Sequence, residues 1–162
     1  MIIDDGGRAH IAYYDSTGSY LKYALITPTL NGSNDITALT VTKNVVVDAL
    51  FTNGMFNSIT LREFASGDVR PVIVSYSITY GGTRNALKVS WPTTNVSGIL
   101  PGADMSDSTY TGAWETFAVA STTAPAQDKS FVETIGTGYT GDIVVGYNGN
   151  FIEQARLLSG LY

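Results

Sequence analysis

His10-Ile-Ala-Tyr-Tyr-Asp15, followed after a polar turn by Leu21-Lys-Tyr-Ala24, is the stretch on which the reading of this chain turns. Both pieces are β-branched or aromatic and are bounded by Gly, Ser and Asp, the pattern of strand, turn, strand. The unit recurs. Ile73-Val-Ser-Tyr-Ser77 leads to Leu87-Lys-Val-Ser90, and Val144-Val-Gly-Tyr-Asn148 leads to Ile152-Glu-Gln-Ala155. Each first strand carries Tyr in its penultimate position, at Tyr14, Tyr76 and Tyr147. A further strand precedes each pair, at residues 1–4, 58–61 and 130–133, and a fourth follows the first two, at 38–47 and 114–120. Four antiparallel strands repeated at a long period predict propeller blades, with the surplus over the common ~40–50 residues per blade held in loops.

The rest of the chain agrees with strands joined by turns. It has 162 residues, enough for one ordinary domain with a core of its own. Charged residues make up only 14%, and the polar share is carried by 34 Ser and Thr and 17 Gly. Helical periodicity is nearly absent; the best candidate, residues 151–158, is short and uncapped. Turn-rich stretches at 27–35, 92–111 and 121–129 are read as surface loops within one domain. The expected fold is therefore all-β: about three four-stranded antiparallel propeller-type blades in a single domain over 1–162, at approximately 1–47, 56–120 and 128–162. The set is incomplete at both ends, since the first unit opens with only residues 1–4 of its inner strand and the third stops before a fourth strand.

Composition also narrows function. A net charge of −5 with no Lys/Arg cluster gives nucleic acid no basic surface to bind. With no Cys, thiol catalysis, disulfides and Cys-based zinc sites are excluded, and a single His makes a His-dependent triad a poor expectation. No apolar run reaches the ~20 residues of a membrane span, and no cofactor or metal is implied. The turns at 31–35 and 104–107 offer oxygens but do not match the twelve-residue calcium loop, so they are read as structural.

The segment Asp4-Asp-Gly-Gly-Arg-Ala-His-Ile-Ala-Tyr-Tyr-Asp-Ser-Thr-Gly-Ser-Tyr-Leu-Lys-Tyr-Ala24 resembles a blade of bacterial surface-type β-propellers, whose units run D-x-x-G-x-x-H-I-x-Y-Y-D … L-K-Y-A. These are distantly similar to sialidase-type propellers. The second and third units keep only the apolar skeleton, the Tyr and the second strand. The resemblance implies the fold; propellers serve as hydrolases, lectins and scaffolds alike. A sialidase-style enzyme would resemble its relatives in a cluster of Arg gripping a carboxylate. Arg8 and Arg70 occupy matching positions, but the third unit has Gly141 there, and the Asp-box S-x-D-x-G-x-x-[WF] is missing.

Six residues form the candidate ligand site, with no catalytic residue assigned. Tyr14, Tyr76 and Tyr147 share a packing position between blades, while Tyr13, on the opposite face of its strand, is the freer aromatic. Asp15, Ser77 and Asn148 follow the shared Tyr and are expected together on one rim, where aromatic rings and small polar groups suit a sugar. Arg8 and Arg70 complete the set. His10 is read as structural. The residues Ile11, Ile73, Val144, Leu21, Leu87 and Ile152 are expected in the core. The expected function is a non-enzymatic recognition or surface module for a glycan or protein, in an extracellular or cell-surface setting. The alternatives are a sialidase-like hydrolase fragment and a structural part of a larger assembly. Open inter-blade faces predict a homodimer or a longer chain that supplies the missing blades.

Overall fold

The computed structural model describes residues 1–49, 53–80, 84–95, 113–122, 130–135, 142–148 and 152–157, with side-chain surroundings for 1–49, 54–77, 86–95 and 113–116. Among them the chain is all-β, with no helix. The first sheet runs in the order β1 (Ile2–Ile3), β2 (Ala9–Asp15), β3 (Tyr20–Leu30), β4 (Ile36–Asp48). The second runs β5 (Asn53–Ala65), β6 (Asp68–Tyr80), β7 (Arg84–Pro92), β8 (Trp114–Thr122). Both are four-stranded, antiparallel meanders. A third sheet pairs β9 (Ser130–Ile135), β10 (Asp142–Asn148) and β11 (Ile152–Leu157) in the order β11-β10-β9. The sheets do not close on one another into a ring.

The registers preserve the repeat in the first two sheets. There Tyr13 stands opposite Lys22 and Ser75 opposite Lys88, whereas in the third the register is shifted by one residue: Gly146 faces Gln154, and Glu153, the repeat counterpart of the lysines, faces Tyr147. Most strands run longer than sequence alone indicated. The clearest correction falls at 27–35, expected as a loop: β3 continues through Leu30, and only Asn31 to Asp35 turn the chain. Pro28 is tolerated there because β2 has already ended opposite Ile26, so β3 has a single hydrogen-bonded neighbour at that height. The turn is closed by Asn31, whose Oδ1 accepts from the Ser33 and Asp35 backbone N–H at 2.8 and 2.9 Å. The arm so formed leaves Leu30, Ile36, Leu39 and Val41 exposed.

The core lies between the first two sheets. Ala12, Leu21, Tyr23, Leu25, Val45 and Val47 of the first sheet pack on Ile59, Ile73 and Trp114 of the second. The strand β5 meets β2 and β3 on this side, and packs also against β9 of the third sheet. Gly54 marks the closest approach: its φ is +97°, and a Cβ there would stand 2.7 Å from the Leu21 Cα. Glycine is therefore required both by the backbone conformation and by the neighbouring strand.

Of the six expected core residues, Ile73, Leu21 and Leu87 are buried. Ile11 is a correction, being only half-buried. It alternates with His10 and Ala12, which point at the second sheet, so Ile11 points away, where no described sheet covers it. The side chains of Val144 and Ile152 lie outside the described residues.

Candidate functional site

Two opposite ends of the sheets carry the candidate residues. Arg8 directly precedes β2 and Arg70 lies in the first turn-proximal residues of β6, whereas Asp15, Ser77 and Asn148 lie at or near the far ends of β2, β6 and β10. From Arg8 to Asp15 is seven residues of extended chain, about 23 Å. The two arginines and the rim therefore cannot act as one small-ligand site.

At the arginine end of the first sheet, a buried polar chain replaces the free guanidinium that the sequence suggested. Asp4 Oδ2 accepts from Arg8 Nε at 2.7 Å, and its Oδ1 accepts from the backbone N–H of Gly6 and Arg8. His10, 1% exposed, sits between Asp4 Oδ2 at 3.2 Å and the Tyr23 hydroxyl at 2.8 Å. A carboxylate only accepts, so Nε2 carries the proton and Nδ1 accepts from Tyr23; this tautomer is assigned from the network. The Tyr23 ring then meets Trp114 of the second sheet at 5.6 Å between centroids.

Burial lowers the His10 pKa against the opposing pull of Asp4. Burial would raise Asp4, but hydrogen bonds from the Arg8 backbone, His10 and the Arg8 side chain outweigh it and hold the carboxyl below its ordinary range. Burial also raises the Tyr23 phenol. His10 is thus a neutral structural histidine, as the sequence reading held.

Arg70 is held in the second sheet in its own way. Its Nε and Nη2 donate to Asp68 Oδ2 at 3.0 and 2.5 Å, and Nη1 donates to the carbonyls of Pro92 and Thr93, each at 3.1 Å. Arg8 and Arg70 thus each engage an aspartate beside their own β-hairpin turn.

The rim at the other end is polar with aromatic rings set into it. Asp15 Oδ2 accepts from Lys22 Nζ at 3.1 Å and its Oδ1 accepts from the Thr17 backbone N–H, contacts that lower its pKa, the Lys22 bond foremost. Tyr13 donates to Asn44 Oδ1 at 2.8 Å, with Lys22 Nζ 6.0 Å from its ring centre. Tyr14, on the face turned to the second sheet, donates to Ser19 Oγ at 3.3 Å. Ser77 and its neighbour Tyr76 are buried, and neither hydroxyl has a hydrogen-bond partner among the described residues. The Asn148 side chain lies outside the described residues; its backbone pairs with Ile152.

Sequence reasoning missed Phe56. It sits in a bulge of β5, where pairing jumps from Met55 opposite Tyr76 to Ser58 opposite Val74. Its φ is +48°, its side chain is 45% exposed, and its ring centre lies 6.3 Å from that of Tyr76. A bulky residue in left-handed backbone is an outlier that the surroundings must enforce. The bond from Asn57 Nδ2 to the Gly54 carbonyl at 2.8 Å helps hold the bulge. The only sequence signal was a phenylalanine inside a Gly/Asn-rich break, Asn53-Gly-Met-Phe-Asn57.

Comparison of the chain with protein-family models, with curated proteins and with solved structures returns no match in any of the three.

Proposed function

We propose that this chain is a non-enzymatic recognition module of propeller-type sheets, working at a cell surface or outside the cell, with a glycan as the ligand class its rim suits. Phe56 is the observation that supports this reading. An exposed ring, held in unfavourable backbone against the Tyr76 ring, whose hydroxyl has no hydrogen-bond partner among the described residues, is what stacking on a sugar calls for. Phe56→Gly keeps the positive φ and removes the ring. A glycan array probed with both proteins should give signal for the native chain only. No binding by the native chain to any sugar at millimolar concentration ends the glycan reading.

A sialidase-style hydrolase is the alternative from another class. Arg8 and Arg70, each already held by its own aspartate, favour it less than two free guanidiniums would. Turnover of a fluorogenic sialoside, lost on replacing either arginine, would establish it.

A second reading, association into a larger ring or homodimer, rests on the outer face of the first sheet. Ile3, Ala9, Ile26 and Val41 stand opposite one another across all four strands, with Ile11 and Ala24 in the next row. Ile3 and Val41 are exposed, and the repeat counterpart of Ile11, Ile73, is buried under a neighbouring sheet. Light scattering decides it: a monodisperse particle near 17.3 kDa excludes self-association.

A further inference from the structure

The first sheet ends in a strand edge that no described residue pairs. β4 is last in its strand order, and its residues 36–42, Ile-Thr-Ala-Leu-Thr-Val-Thr, are all exposed. They hold none of the charges or prolines that commonly blunt a free edge. Here β3 and β4 form a ribbon of only two strands, since β2 stops opposite Ile26. Such a ribbon is marginal in water by itself. Its two faces differ. Ile26 opposite Val41, Pro28 opposite Leu39 and Leu30 opposite Ile36 make one face apolar, while Thr27 opposite Thr40 and Thr29 opposite Ala38 make the other largely threonine.

The hydrogen bonds of the ribbon fix which backbone groups that edge offers. The carbonyls of Leu25 and Thr29 point at β4, because they accept from Thr42 Oγ1 at 3.2 Å and Thr37 Oγ1 at 3.1 Å. Alternation along β3 then turns Pro28 away from β4, where its missing N–H costs no ladder bond. Leu39, opposite Pro28, therefore turns its own N–H and C=O away from β3, to the open edge. Charge flanks the stretch, with Asp35 just before it and Lys43 just after it. Leu39 lies midway between the two, and each interval contains one bulge, at Thr37 and at Thr42.

We propose that this edge of β4 pairs with the same edge of a second copy of the chain, antiparallel about a two-fold axis at Leu39. In that register Leu39 and the partner's Leu39 exchange both N–H···O=C bonds. The apolar face continues across the junction, with Val41 beside the partner's Ile36. The matching bulges keep the two intervals in step, so Asp35 comes beside the partner's Lys43, once on each side of the axis. A register slipped by two residues loses both of these charge pairs. Charge thus selects the register, and backbone bonding supplies the attraction. Two marginal ribbons become one four-stranded sheet. The proposal rests on the self-association reading and gives it a definite contact; it is independent of the glycan reading.

An edge-to-edge contact is a small interface, so the measurements run up to millimolar protein. Light scattering on the 162-residue protein should give a mass rising toward twice 17.3 kDa. The chain has no Cys, so a single introduced thiol reports its own position. Leu39→Cys in oxidised glutathione should link two copies through a disulfide, because the paired Cα atoms stand about 5.5 Å apart. Val41→Cys, at a position of similar exposure, should not link, because its two copies lie about 13 Å apart along the strands. Lys43→Glu should raise the dimer Kd about tenfold, and adding Asp35→Lys should restore it. A dimer in which Leu39→Cys links no better than Val41→Cys overturns the edge pairing and leaves association through the outer face standing. Failure of the double variant to recover overturns the register. A monomer at millimolar concentration overturns the proposal and self-association together.

Discussion

Positions that correspond in the first and second sheets lead different lives. In β2 burial alternates up to Ala12 and then gives way to half-buried residues, whereas in β6 every residue from Pro71 to Ser77 is buried. The second sheet is packed by the first on one face and lies against β9 of the third, while the outer face of the first is covered by no described sheet. Hence Ile73 is 0% exposed and Ile11 only half-buried. Lys22 and Lys88 divide in the same way. Lys22 stays half-exposed and bonds Asp15 within its own sheet. Lys88 is buried and crosses to Asp48 of the neighbouring sheet at 2.7 Å. The difference teaches that a repeat transmits side-chain identity, and the neighbouring sheet decides what that side chain does.

The largest effect should come from the buried cross-sheet ion pair. Lys88→Met leaves the Asp48 charge buried without this cation and should cost about 3–5 kcal/mol in denaturant unfolding. The same change at Lys22 should cost no more than about 1 kcal/mol, as an exposed pair does. Equal losses at the two lysines would erase the contrast between the sheets.

Truncation of the matched isoleucines comes next. Ile73→Ala should cost about 2–5 kcal/mol by opening a cavity between the sheets. Ile11→Ala should cost markedly less, since its side chain already meets solvent. A loss under about 1 kcal/mol at Ile73 would break the repeat alignment from which the comparison starts.

Acid should act chiefly through the first sheet, because the second carries Val72 where the first has His10. Burial holds the folded pKa of His10 below the ordinary histidine value of 6.5, so the unfolded chain takes up the proton first. The stability contributed by keeping His10 neutral is complete above about pH 6.5 and declines as pH falls from there through the folded pKa. The limiting slope is about 1.4 kcal/mol per pH unit for one proton. Asp4, also lowered, loses its contribution only further down, as pH falls from 3.8 through its own folded pKa. Urea unfolding from pH 7.5 to 5 should show the first decline, and His10→Gln should flatten it. An unchanged slope in that variant would place the titrating group elsewhere.

Much of this was legible in the residues themselves. Alternating β-branched and aromatic runs, Gly/Asn/Asp breaks and the thrice-repeated strand–turn–strand unit determined the all-β class and the strand order within each unit, because pleating and turn chemistry are local properties. The role of His10 was legible too, since a lone histidine in an apolar strand has few other uses. What tertiary structure alone decided was whatever depends on a partner distant in sequence. It placed Ile11 at the surface and Ile73 inside, sent Lys88 to Asp48, separated Arg8 and Arg70 from the rim, and set Phe56 in left-handed backbone against Tyr76. Alternation fixes which face a side chain points to; only the packing of another sheet determines whether that face is dry.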